Sequence, residues 1–166
     1  IEYGAIWIES FYYENKFIFN EIGFRYGGSL TYYPVEYFYG INQMKILINH
    51  SLYGNGLYKN FDDITEVNHD KNKLYSILPI QIKPCTIKQI RGIDRLRQIQ
   101  GVHEFVQSHS IEDTIPASGT TLQVFGYLHV TGNTIEEIND TFKKSKDVLD
   151  VRDENDVNML FTIWEI

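Results

Sequence analysis

Cysteine is nearly absent: Cys85 stands alone in 166 residues. One thiol excludes an internal disulfide and any CxxC metal site. It fits a reducing compartment, and cytoplasm is the expectation. Positive charge is also scarce, with 15 basic residues against 22 acidic ones and a net charge of −7. A phosphate-backbone partner needs a clustered basic surface, so nucleic acid is not expected. The basic residues between Lys83 and Arg97 alternate with apolar ones and read as a solvated face. No apolar run approaches the roughly 20 residues of a membrane span, and no signal peptide is evident, so no membrane partner is expected. Internal repeats and low-complexity tracts are missing too.

Several chemical signatures are lacking. The histidines His50, His69, His103, His109 and His129 show no HxxxH spacing, so none is taken as a ligand or base. Ser29 follows two glycines, but no GxxxxGK[ST] is present, and a turn is the better reading. Asp62, Asp63 and Asp70 lack EF-hand spacing and read as a solvated loop.

Aromatic residues are plentiful: 12 Tyr, 10 Phe and 2 Trp. Rings at this density favour strands and broad buried faces. Gly4 to Tyr13, a turn at Glu14-Asn15-Lys16, and Phe17 to Ile22 predict a hairpin. Its second strand is apolar on both faces, which predicts a place inside a sheet. A loop with Gly27-Gly28 follows. Thr31 to Tyr39 predicts a helix ended by Gly40. Its tyrosines are expected to pack against the sheet. Asn42 caps the next helix, to about Leu52, and Met44 is expected in its core.

Residues 57–73 are polar and predict a linker between two domains, 1–56 and 74–166. Strands are expected at Leu74 to Lys83, Thr86 to Ile90, Val102 to Ser108 and Leu122 to Thr131, with a short helix at Gly92 to Gln100. Thr134 and Glu137 form a capping box for a helix to Leu149, with Ile135, Ile138, Phe142 and Leu149 on one stripe. A hairpin using Met159 to Trp164 is expected to close the chain. The fold class is α+β, with mainly antiparallel sheets and packed helices.

Glu9 and Glu21 carry the chemical signal, because both interrupt apolar strands. Asn15 lies six residues from each, so a hairpin turning about it sets Glu9 opposite Glu21. Opposed residues have Cβ atoms about 4.5–5.5 Å apart. Two carboxylates that close repel unless something compensates. A hard divalent cation with oxygen ligands does so; magnesium typically combines one or two carboxylates with substrate phosphates. Gly23 and Arg25 follow on the same face while the chain stays extended. Arg25 offers a bidentate phosphate or carboxylate binder, and Gly27-Gly28 allows close backbone approach. The plainer readings are a slipped hairpin, or a simple Glu21–Arg25 ion pair.

The run from Glu9 through Glu21-Ile-Gly-Phe-Arg25 to Gly28 resembles the metal-binding end of the ATP-grasp superfamily. That family's pattern is a glutamate, a second about a dozen residues later, then E-x-N-x-R and a glycine loop. Glu36 to Asn42, Ile90 to Asp94 and Gly132 to Glu137 extend the resemblance along the chain. It implies the C-terminal part of an ATP-grasp domain followed by an α+β domain. It implies a carboxylate–amine or carbamoyl phosphate synthase-like ligase acting through an acyl phosphate. Glu9 and Glu21 would hold Mg2+ or Mn2+, and Arg25, Gly27 and Gly28 would meet ATP, the substrate. Arg25 would also serve catalysis.

Two departures stand out. Gly23 replaces the family's metal-binding Asn. The chain also opens at Ile1, after the family's nucleotide-fold domain and lid, so the fragment alone is expected to be inactive. Expected partners are small-molecule carboxylate and amine substrates and the missing N-terminal part of the enzyme. A homodimer is a further expectation, although pairing through the free edge of strand 4–13 would be an artefact that says nothing of function. The alternative is a non-catalytic ligand- or protein-binding module with a degraded ATP-grasp site.

Overall fold

The structure, a computed structural model, describes residues 5–54, 72–164 and 166. The chain divides into two compact units, Ile1–Asp70 and Lys71–Ile166. The expected linker lies outside the described residues except for its last two positions, as do Asp62, Asp63, His69 and Asp70.

The first unit holds a hairpin and two helices. Strands β1 (Trp7–Tyr13) and β2 (Lys16–Gly23) pair antiparallel as a two-stranded sheet. The turn is tighter than the sequence suggests. Tyr13 pairs with Lys16, so only Glu14 and Asn15 make the turn, at φ 48° and 60°. Two successive positive φ values match the right-handed twist of the flanking strands, as in a type I′ turn. Tyr12 reinforces it: its hydroxyl donates to Asn15 Oδ1 at 2.6 Å, and its ring lies 5.1 Å from that of Phe17. The expectation that β2 lies inside a sheet is not met among the described residues. No third strand flanks it, and Phe17 is 81% exposed.

Helix α1 (Tyr32–Tyr39) ends at Gly40, whose φ of 66° suits a residue without a Cβ. Helix α2 (Gln43–Tyr53) starts as expected: Asn42 Oδ1 accepts from the Lys45 amide at 2.9 Å. The Asn42 amide also donates to Glu36 at 2.7 Å, tying the two helices together. Met44 is not core, since its side chain is exposed along with Leu47 and Ile48. Helical spacing predicts a shared stripe, but not what covers it.

The second unit is built on an antiparallel sheet of β3 (Leu74–Gln81), β6 (Val102–Gln107) and β8 (Val124–Gly132), with β8 in the middle. Being central, β8 is largely buried on both faces. The single strand expected across Thr86 to Ile90 is two shorter ones. Of these, β4 (Cys85–Thr86) pairs with β7 (Thr114–Ile115), and β5 (Gln89–Arg91) pairs with β9 (Asp150–Arg152). A short helix α3 (Ile93–Arg97) starts at Gly92, whose φ is 89°. A Cβ there would stand 1.8 Å from the Val148 carbonyl oxygen, so the position requires glycine.

Helix α4 (Ile135–Val148) buries Ile138 and Phe142, while Ile135 stays exposed. Thr134 Oγ1 accepts from the Glu137 amide at 3.2 Å, as the capping box predicts. The Glu137 carboxylate reaches one residue further back, to the Asn133 amide at 2.7 Å. The expected closing hairpin is reduced to isolated bridges, Arg152 with Asn158 and Ile82 with Leu160. The core gathers Ile80, Phe105, Phe125, Leu128 and Phe142. Burying each such side chain contributes about 1.5–3 kcal/mol.

Candidate functional site

The site is built on the hairpin. The two-residue turn by itself would set Glu9 against Asn20 and place Glu21 opposite Ile8, on the other face. A bulge in β2 prevents this. The pairing runs Ser10 with Phe19, then Glu9 with Glu21, then Ile8 with Ile22. Asn20 is the extra residue, so Asn20 and Glu21 both oppose Glu9. The sequence-predicted juxtaposition of Glu9 and Glu21 therefore holds, although the turn is one residue shorter than expected. The inserted residue restores the register.

The surroundings of Glu9 are polar. The Asn20 side-chain amide donates to Glu9 Oε1 at 2.6 Å. Two residues along each strand, Trp7 pairs with Gly23. The Arg25 guanidinium stacks over the Trp7 ring, 5.0 Å from its centroid. Its Nη1 donates to the Tyr26 carbonyl at 2.9 Å. A ring beneath a guanidinium takes up its face and leaves in-plane N–H groups for an anion. Among the described residues Arg25 makes no ion pair with Glu9 or Glu21, so the simple ion-pair reading of Glu21 and Arg25 is not what the structure holds.

The two loop glycines differ. A Cβ on Gly27 would meet Thr31 Oγ1 at 2.6 Å and the Trp7 indole at 3.1 Å, so Gly27 is packed against protein. A Cβ on Gly28 would meet nothing within 4 Å, so Gly28 is the open face of the loop. Ser29 and Leu30 both take positive φ, 53° and 59°, and turn the chain into α1.

Asn20 and Trp7 are the site residues that sequence reasoning passed over. Signals for both exist. Asn20 is a polar residue in an apolar strand beside Glu21. Trp7 lies two residues before Glu9, on the same face.

Among the described residues no three His, Cys, Asp or Glu side chains gather around one point. Two opposed carboxylates and an amide are all-oxygen donors, which suits a hard divalent cation completed by water or phosphate oxygens. In the second unit, Tyr75 Oη lies 3.1 Å from Nδ1 of buried His129, and the Tyr75 ring meets that of His103 edge-on. Burial, with the nearby charge of His103, lowers the His129 pKa to about 4. This is a core histidine rather than a metal ligand.

The fold is that of ATP-grasp enzymes. The chain matches the crystal structure of L-amino acid ligase from Bacillus licheniformis with a TM-score of 0.62 and 19% identity, over 86% of this chain and 35% of that one. It matches that of phosphoribosylglycinamide synthetase from Anaerococcus prevotii with a TM-score of 0.63 and 15% identity, over 90% of this chain and 37% of that one. The chain thus spans about a third of the length of each. No protein-family model matches the sequence, and no curated protein does. No helix among the described residues is long and apolar enough to cross a membrane.

Proposed function

We propose that this chain is the metal- and phosphate-binding portion of an ATP-dependent carboxylate–amine ligase. The observation that carries the reading is Glu9 set directly opposite Glu21 by a bulge, on an ATP-grasp fold. The names of the two similar enzymes, an amino acid ligase and a glycinamide synthetase, fit that reaction class.

The residues divide the work. Glu9 and Glu21 hold Mg2+ or Mn2+, which when bound neutralises charge on the ATP phosphates. Arg25, steadied on Trp7, presents N–H groups to a phosphate or acyl-phosphate oxygen. Gly28 offers open backbone, and Gly27 keeps the loop against Trp7. Phosphoryl transfer depends mostly on such positioning and charge neutralisation. The acid substrate's carboxylate attacks the γ-phosphorus and ADP leaves. The amine then attacks the acyl carbon and displaces phosphate.

The chain is proposed to supply the floor of the site only. On this reading residues 1–56 complete an ATP-grasp domain and 74–166 form the domain that follows it. The adenine pocket and lid come from the rest of a longer cytoplasmic enzyme, so the isolated chain has no ligase turnover. The exposed apolar faces of the hairpin support this. Ile8, Phe11, Phe17 and Phe19 are each more than half exposed, as in a surface that other strands cover.

The test is a calorimetric titration of Mg-ADP into the chain, with Glu21→Gln as control. Binding that the substitution abolishes is the expected result. Equal binding by both proteins would refute the carboxylate-pair site. ATP- and substrate-dependent phosphate release by the isolated chain would overturn the proposed inactivity.

A further inference from the structure

Strand β6 ends at Gln107 and β8 begins at Val124. Among the described residues, the last backbone bond across this neck runs from the Ser108 amide to the Phe125 carbonyl, at 2.8 Å. The chain between forms two arms. Residues 110–115 are anchored: Glu112 and Asp113 exchange backbone bonds with Ile87, and β7 pairs with β4. Residues 116–121 are not. Among the described residues, their hydrogen bonds reach only positions within 116–124. The Gly119 amide donates to Gln123 Oε1 at 2.6 Å, for example, and the Ser118 and Thr120 hydroxyls lie 2.8 Å apart.

His109 joins the arms, and its side chain is only 18% exposed. Its Nε2 lies 3.0 Å from the Leu122 carbonyl oxygen. A carbonyl only accepts, so Nε2 carries a proton. Across the ring, Nδ1 faces Asp113 Oδ2 at 3.6 Å. The Ser110 amide holds that same oxygen, at 2.8 Å. A neutral ring with its proton on Nε2 turns a lone pair to the carboxylate; an imidazolium turns an N–H to it. Across from this turn, Lys88 is already paired with Glu112 at 2.8 Å. On its own strand side, the Gln107 amide donates to the His109 carbonyl at 2.6 Å. Asp113 is thus the charged group within ion-pair range of the ring among the described residues.

We propose that His109 is a proton-operated clasp between the two arms of the 109–122 excursion. Charged, it holds the Leu122 carbonyl and the Asp113 carboxylate together and fixes the free arm to the anchored one. When rising pH removes the Nδ1 proton, the Asp113 half of the clasp turns repulsive, and the 116–122 arm opens more often. Histidine suits this task, because its charge ordinarily changes between pH 5 and 8. The direction is opposite to that of buried His129, whose charging weakens the fold as pH falls. The clasp is independent of the ligase reading.

The experiment measures amide hydrogen exchange by NMR on the full chain from pH 5.5 to 8, corrected for intrinsic exchange. The Gly119, Leu122 and Gln123 amides, each hydrogen-bonded within the arm, are the probes. The β8 amides report global opening and show that each variant folds. In wild type, arm protection is expected to fall about two- to fivefold across the range, the size of one partly exposed charge pair, while β8 does not follow. His109→Gln keeps a donor for Leu122 and removes the titration. Asp113→Asn keeps an acceptor for Ser110 and removes the charge. Either variant should make arm protection independent of pH. A flat wild-type profile would overturn the proposal. So would a fall that survives in either variant, because another group would then carry it. Arm and β8 protection falling together would overturn it as well, since the opening would be global.

Discussion

The two units of this chain are built in opposite ways. Every buried hydrophobic side chain among the described residues belongs to the second unit, from Ile80 to Trp164. Residues 5–54 bury none. Yet Glu9, Asn20, Glu21, Arg25 and Gly28, the residues with chemistry to offer, all lie in the first. The second unit has the layered core that makes a domain stable by itself. A two-stranded hairpin is at best marginal in water, and this one shows apolar side chains on both faces. Its sequence suits a covered environment. The scaffold in this chain is therefore self-sufficient, and the candidate site is not.

Mutation should expose that contrast. Phe125 is fully buried in β8. Phe125→Ala is expected to lower the unfolding free energy by about 3–5 kcal/mol. Phe17→Ala, at a site 81% exposed, should change it by less than about 0.5 kcal/mol. Urea titration of both variants measures the pair. Similar losses would break the contrast and show a core in the hairpin unit.

The pH dependence should also belong to the second unit. His129 has its pKa lowered to about 4 by burial and by His103. The unfolded chain takes up that proton near pH 6.5, its ordinary range. Between these values the unfolded state binds more protons, so stability is full above pH 6.5 and falls as pH drops toward 4. The steepest slope for one such group is about 1.4 kcal/mol per pH unit. His129→Gln should flatten the profile of the second unit. Denaturant midpoints across that range, read through Trp164, check it.

A local effect concerns the helix caps. Thr134→Ala removes the acceptor for the Glu137 amide and should cost the second unit about 1 kcal/mol. Asn42→Ala removes the equivalent contact to Lys45. It should fray α2 without moving the main unfolding transition. Hydrogen exchange at the α2 amides, set against global melting, separates the two cases.

What the sequence shows of this molecule follows the range of its signals. Caps are local: Asn42 and Thr134 are legible because the capping oxygen and its amide lie three residues apart. The opposition of Glu9 and Glu21 is legible from hairpin symmetry about Asn15, but only because two departures cancel. The turn loses a residue and β2 gains one. Neither has a strong signature, since Glu14-Asn15 is not the Asn-Gly pair that announces a type I′ turn. Met44 illustrates the other limit. Helical spacing groups apolar residues, but their burial depends on what packs over them. The stack of Arg25 on Trp7 joins the two strands at the open end of the hairpin and depends on a register no local signal gives.

The central claim is that Glu9 and Glu21 hold one ion between them. A double-mutant cycle on Mn2+ affinity tests it most directly, using Glu9→Gln, Glu21→Gln and the pair combined. If the carboxylates share an ion, either substitution alone removes most of the binding, and the double variant is little worse than the singles. Two small losses that simply add would contradict the account, because they would mean independent charges on an exposed strand.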